Sequence, residues 1–218
     1  MHGWGGRAGE GDASSASDRS REEARCRAEL VAIVQRTQWL MSALAAVRAL
    51  GLPNACIGAG AVRTAVWDAL HARPSAAGGA RVPQLSDVDV AYFDGSDTSR
   101  ERDQAYAARL EGLAPEFAWD VTNQAGVHHW FEQVFGHAVA PLQSLEEAVA
   151  SWPETATCVG VTLSEAGEIG VVAPLGLRDL FAMVVRRNPA RVSVPVYRER
   201  VRSKGFRERW PRVRVFLE

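Results

Sequence analysis

The sequence predicts a mixed α+β domain with a small sheet flanked by helices, followed by a C-terminal hairpin and a helical extension. Three observations carry that expectation: a long stretch of helical periodicity before residue 51, short β-branched runs near residues 57, 90 and 120, and a hairpin pattern after residue 154. The 218 residues are 47% hydrophobic and 23% charged, enough to bury one good-sized core and too apolar for wholesale disorder.

The elements follow in order. Met1 to about Ser20 is rich in Gly, Ser and Ala and reads as a disordered tail (residues 1–20). One long helix is expected from about Ser20 to Leu50, because Leu30, Val34, Leu40, Leu44 and Val47 recur at helical spacing and Gly51 with Pro53 stops it. Asn54 to Ile57 is a short strand that turns at Gly58-Ala59-Gly60 into a helix bearing Val62, Val66, Ala69 and Leu70 on one stripe. Pro74 to Gln84 reads as a flexible loop, and the alternating run Asp87 to Phe93 as a strand. A charged helix from Thr98 to Gly112, a strand from Phe117 to Thr122 and a helix carrying Val127, Trp130, Phe131 and Val134 come next. Thr155 to Leu163 and Ile169 to Val172 pair around Glu165-Ala166-Gly167-Glu168, and Leu177 to Val185 and Val196 to Lys204 read as helices. Residues 21–150 are expected to form the core domain and residues 151–218 a hairpin and basic helical extension packed on it.

Composition excludes several classes. No apolar stretch approaches the length of a membrane span; Leu40 to Val47 is among the longest. The first twenty residues lack the apolar segment of a secretory signal, and the three scattered cysteines, Cys26, Cys56 and Cys158, fit free thiols in a reducing cytoplasm. Net charge is −1, but its distribution is uneven. From Arg186 to Glu218 there are eleven basic and three acidic residues, a local +8, leaving −9 on the remainder. A cationic segment on an acidic body suits phosphates, whether of a nucleotide or of a nucleic acid, and equally fits a solvated surface.

The chemistry concentrates in Ser86-Asp87-Val88-Asp89-Val90. Two residues apart on a strand, Asp87 and Asp89 share a face with Cα atoms roughly 6.6 Å apart. At an effective dielectric of ~20 their carboxylates repel by roughly 2.8 kcal/mol. A divalent cation between them offsets that cost, and Mg²⁺, or Mn²⁺, suits one or two carboxylates with phosphate oxygens completing its shell. Upstream, Gly58-Ala59-Gly60 lets backbone approach a ligand and opens a helix whose first N–H groups face outward, with Arg63 one turn in. The turn fits no G-x-G-x-x-G or Gly-Lys-Ser/Thr fingerprint, and a tight packing turn accounts for the same glycines.

Together, Ala59-Gly60-Ala61-Val62-Arg63 and Asp87-x-Asp89 resemble the glycine-turn and Asp-x-Asp elements of CCA-adding enzymes and bacterial poly(A) polymerases, within the nucleotidyltransferase superfamily typified by DNA polymerase beta. Ala59 stands where that pattern has its first Gly, and Thr64 where an acidic residue is usual. A bacterial family of nucleotidyltransferase-like proteins is also resembled in Trp119-Asp120-Val121-Thr122-Asn123-Gln124-Ala125, Trp152-Pro153-Glu154-Thr155, Leu175-Gly176-Leu177-Arg178-Asp179 and Trp210-Pro211. The resemblance implies a nucleotidyltransferase-type sheet and a Mg²⁺-dependent transfer of a nucleoside monophosphate from an NTP such as ATP to a hydroxyl acceptor, with pyrophosphate released. The acceptor is RNA, a small molecule or a protein side chain. The resemblance also admits a catalytically inactive relative that binds nucleotide or RNA, or one half of a two-component assembly. It implies Asp87, Asp89 and Asp120 as catalytic metal ligands, and Gly58, Gly60, Arg63 and Asn123 as nucleotide-binding residues; Asn123 also fits a plain helix cap. Other features carry less. His128, His129 and His137 lack zinc spacing, the tryptophans read as core, and Glu154 has no assigned role.

Overall fold

The computed structural model describes residues 10–73 and 87–218. The expected tail over residues 1–9 and the expected loop from 74 to 84 lie outside the described residues. Nine helices are described: α1 (Glu10–Arg36), α2 (Gln38–Leu50), α3 (Ala59–Leu70), α4 (Arg100–Leu113), α5 (Phe131–Phe135), α6 (Leu145–Ala150), α7 (Arg178–Phe181), α8 (Val194–Lys204) and α9 (Phe206–Arg209). The strands are β1 (Cys56–Gly58), β2 (Val88–Tyr92), β3 (Trp119–Asn123), β4 (Gly160–Leu163), β5 (Ile169–Val172), β6 (Val184–Val185) and β7 (Arg214–Val215).

The mixed α+β architecture expected from the sequence is present. Five strands form one sheet in the order β3-β2-β1-β4-β5, with β2 and β3 parallel and the other pairs antiparallel. β4 pairs with β1, so the sheet takes in residues on both sides of position 150. β1 is fully buried and β2 is buried except at Asp89, and α1, α2 and α3 bring Leu30, Leu40, Leu44, Val62, Val66 and Trp67 to the same core. No single helix among the described residues is long and apolar enough to cross a membrane.

Several local expectations need correcting. The segment read as one helix is two, bent by 89° at Thr37. Thr37 is buried with extended backbone, and its hydroxyl donates to the Ile33 carbonyl at 2.7 Å, competing with the backbone ladder. Apolar spacing runs on through the break, which hides it from a periodicity reading. At its other end, helix begins at Glu10, inside the stretch read as tail, because extending a helix from an established amphipathic segment is cheap compared with nucleating one. The stretch Leu177 to Val185 keeps only the four residues of α7. Met183 takes φ +52°, and Val184–Val185 then pairs with β7 in a separate two-stranded sheet. The helix expected around Val127 is a 3-10 turn, Gln124–His129, followed by α5. α6 was not anticipated, although Ser144 and Glu147 cap it reciprocally: Ser144 Oγ accepts from the Glu147 N–H, and Glu147 accepts from the Gln143 N–H.

The C-terminal segment is locked to α3 through a buried carboxylate. Asp68, 3% exposed, accepts from Trp210 Nε1 at 2.7 Å and pairs with Arg209 at 3.6 Å and Arg73 at 3.9 Å. Trp210 packs edge-on against Trp67, with ring centroids 5.1 Å apart. Replacing Asp68 with Ala leaves a buried indole N–H and a half-buried guanidinium without that carboxylate. Urea unfolding is therefore expected to show a loss of about 3 kcal/mol; a loss below about 1 kcal/mol would rule out this anchor.

Candidate functional site

β2 and β3 run parallel in a register that sets Asp89 directly opposite Asp120. Asp87, immediately before β2, lies two residues from Asp89 and so on the same face of the strand. Asp87, Asp89 and Asp120 each bring a carboxylate oxygen within 4.8 Å of the others. Among the described residues this is the group of side chains able to hold a metal ion, and an all-oxygen set of carboxylates fits Mg²⁺ or Mn²⁺.

The cluster is electrostatically costly. Burial, and then the neighbouring charges of Asp87 and Asp120, push the Asp89 carboxyl up to about 6, against the opposing pull of the Gly60 backbone N–H and Arg200. A displacement of that size corresponds to a cost on the order of 3 kcal/mol for the ionised form.

The glycine turn meets this cluster from β1. The left-handed backbone falls on Ala59, at φ +46°, while Gly58 has φ −132°. An L-residue there costs roughly 1–2 kcal/mol, which gives the position where the resembled pattern has glycine a physical meaning. Gly58 is needed for space instead: a Cβ would come within 2.3 Å of the Trp152 ring. A Cβ on Gly60 would sit 3.6 Å from Asp89 Oδ2 and 3.7 Å from an Arg63 nitrogen, so Gly60 lies between the acid and the base.

Arg63 is 7% exposed, and its guanidinium lies against the rings of Phe206, Trp210 and Trp67 at 5.0, 5.5 and 5.6 Å. Burial lowers it to about 10, so it stays charged at neutral pH. Its Nε and Nη1, and the Thr64 hydroxyl, are buried with no hydrogen-bond partner. Arg63 borders a cavity of about 640 Å³ that also reaches the acid cluster, Arg200, Lys204 and Arg209. These last three come from α8 and α9, and the sequence reading located them only as part of a basic segment. Glu154, which had no assigned role, is 1% exposed and pairs with Arg200 at 2.5 Å while accepting from the Thr157 hydroxyl at 2.8 Å.

Asn123 is not drawn into this assembly. Its Oδ1 accepts from the Asp94 and Ala125 N–H groups, and its Nδ2 donates to the Asp94 and Asp97 carbonyls. Every polar atom of its side chain is engaged in fixing the end of β3. His128 and His129 pack against each other and His137 against Phe131. Trp130 and Trp152, read as core, are half-buried; Trp152 packs against the buried cluster of Cys56, Leu145, Val149 and Cys158, and both also line a second cavity beside the acids.

A family model described as nucleotidyltransferase matches residues 45–215. Among solved structures, an NMR structure described as revealing a CCA-adding enzyme head domain is similar at a TM-score of 0.71 and 26% identity, covering 86% of this chain and 94% of that one. No curated protein matches the chain.

The raised Asp89 carboxyl has a stability signature. Its folded value, about 6, lies above the ordinary 3.8, so its contribution is fully present below about pH 4 and is lost as pH rises through 6. In EDTA at pH 8, Asp89→Asn is expected to stabilise the protein by on the order of 1–2 kcal/mol in urea unfolding, with the gain vanishing near pH 4. An equal effect at both pH values would show that charge is not the cause.

Proposed function

The chain belongs to this nucleotidyltransferase family, and on that premise we propose that it transfers a nucleoside monophosphate from an NTP to a hydroxyl acceptor, releasing pyrophosphate. The observation that carries the reading is the juxtaposition of three carboxylates with a buried arginine whose Nε and Nη1 make no hydrogen bond, across the first turn of α3.

Asp87, Asp89 and Asp120 would hold Mg²⁺ or Mn²⁺, which when bound neutralises phosphate charge and acidifies a coordinated hydroxyl. The chain's own residues do the rest. Arg63 would meet the β- and γ-phosphates through Nη2, the nitrogen beside Gly60, with Lys204 and the carboxylate-paired Arg200 and Arg209 adding charge around the same cavity. Gly60 lets the polyphosphate pass close to the backbone, while Gly58 keeps the turn seated under Trp152. Asp120, exposed on β3, accepts the proton of the acceptor hydroxyl. The acceptor oxygen forms its bond to the α-phosphorus as the bond from that phosphorus to the bridging oxygen breaks, and pyrophosphate leaves with that oxygen. Positioning and charge neutralisation supply most of the acceleration. Asn123 acts at one remove by fixing the C-terminal end of β3, the strand that carries Asp120.

In this reading residues 21–150 carry the acids and the turn, and residues 151–218 contribute the phosphate-side cations. Cys26, Cys56 and Cys158 are free thiols, in keeping with a cytoplasmic setting.

Pyrophosphate release from a panel of NTPs with Mg²⁺ or Mn²⁺ tests the proposal. The wild-type chain is expected to turn over and the Asp87→Asn plus Asp89→Asn variant to fall by about 10³-fold or more. Unchanged release in that variant would refute it, and nucleotide binding without release from the wild type would mark a retired relative instead.

A further inference from the structure

The cavity on the other side of the acids has the opposite chemistry. It encloses about 690 Å³, and its walls include Val127, Trp130, Phe131, Phe135, Trp152 and Val196. Its basic lining residues are Arg191, Arg200 and His137, set against Asp89, Asp120 and Glu199. Arg191 donates to the Ala140 carbonyl at 2.7 Å and rests on the Phe131 ring, and Arg200 is paired with Glu154. The two cavities share Asp89, Asp120, Arg200 and Ser203 and diverge from there.

Resting on the nucleotidyltransfer reading, we infer that this apolar cleft is the acceptor site, and that the acceptor is a small, uncharged molecule carrying its hydroxyl on a flat apolar body. In-line displacement sets the attacking oxygen and the departing pyrophosphate on opposite sides of the α-phosphorus. With the polyphosphate among Arg63, Lys204 and Arg209, the attacking oxygen arrives from the cleft, where Asp120 receives its proton. The cleft has the size and apolar character of a small-molecule site. A short polar ladder fixes orientation next to the reacting atoms: Gln124 Nε2 donates to the Thr122 carbonyl, and the Thr122 hydroxyl donates to Asp120, each at 3.3 Å.

An RNA end is disfavoured by the same observations. Polynucleotide binding needs cations aligned with successive phosphates, and the cleft offers two arginines already engaged. The basic C-terminal segment likewise directs donors onto this chain: Arg187 to the Val192 carbonyl, Arg198 to Leu217, Arg212 to Leu70, and Arg186 to the Asp179 carboxylate.

The test is a fluorescence titration of the full chain with the neutral dye N-phenyl-1-naphthylamine, at about 0.15 M salt, with and without saturating α,β-methylene ATP and Mg²⁺. Saturable dye binding that shifts less than about threefold on adding the nucleotide is expected. Val196→Glu, and independently Trp130→Ala, should weaken the dye by about tenfold or more while calorimetric affinity for the Mg²⁺ nucleotide stays within about threefold. Displacement of the dye by the nucleotide would make the cleft a nucleobase pocket and overturn the inference. So would displacement by a 12-nucleotide oligoadenylate, or failure of the dye to bind. Absence of calorimetric binding of the Mg²⁺ nucleotide sinks the nucleotidyltransfer reading and this inference with it, whereas nucleotide binding combined with dye displacement sinks the inference alone.

Discussion

The repulsion among Asp87, Asp89 and Asp120 is the constraint around which this molecule is organised. Like charges directly opposite each other in a sheet are unfavourable, yet the β2–β3 register sets Asp89 across from Asp120. The register is imposed by the other faces of the two strands. Val88, Val90 and Tyr92 are buried on β2, and Trp119, Val121 and Asn123 on β3. Sliding either strand by one residue would turn those side chains to the acid face, a loss far larger than the repulsion. The strand ends are pinned as well: the Asp103 carboxylate accepts both from the Tyr92 hydroxyl and from the Asn123 N–H, tying α4 to β2 and β3 together.

The C-terminal segment supplies the opposing charge, and three contacts hold it in place. Asp68 binds Trp210, Glu154 binds Arg200, and Phe206 with Trp210 flanks Arg63. Each joins residues far apart in sequence, so the cationic side of the site exists only once the chain beyond residue 190 has packed against α3. Glu154 has a double effect. It fixes Arg200 at the junction of the two cavities, and its charge supports ionisation of the deeply buried Arg63. The positive charge of α8 and α9 is thus shaped by internal acceptors before it meets any ligand.

How much of this was legible in the sequence depends on the range of the contacts. Strand alternation and the two-residue spacing of Asp87 and Asp89 are local, and they led to the sheet and to the acid pair. Asp120 was reached through strand character and order together with the resemblance, and the parallel register explains its placement. Periodicity was blind to the bend at Thr37, because the apolar positions keep their phase across it. It also could not separate α7 from β6, because the left-handed residue that ends the helix is Met183, a residue with no turn signature. Asn123 carried a polar signal that the fold uses for its own backbone. Arg200 and Glu154 were visible only as one arginine among eleven basic residues and one glutamate in a loop; their partnership spans 46 positions and leaves no local trace.

The turn at Ala59 joins the acid cluster to the cationic side of the site. Holding an alanine at φ +46° places the start of α3 so that the Gly60 N–H reaches Asp89 while Arg63, three residues on, lies across Gly60 from the same carboxylate. Arg63 is buried and Asp89 half-buried, and burial displaces both toward their neutral forms, so neither fully compensates the other. A direct ion pair would satisfy both and close the site. Their separation leaves an excess of negative charge on one side of Gly60 and, on the other, a cation held by aromatic rings with two nitrogens lacking hydrogen bonds. A ligand that brings a divalent cation to the first and phosphate oxygens to the second relieves both costs at once. An isolated metal ion or an isolated anion relieves only one. Under the nucleotidyltransfer proposal, the backbone strain at residue 59 would be coupled to selectivity for a metal-bound polyphosphate over either component alone, since it maintains the gap that the composite ligand would span.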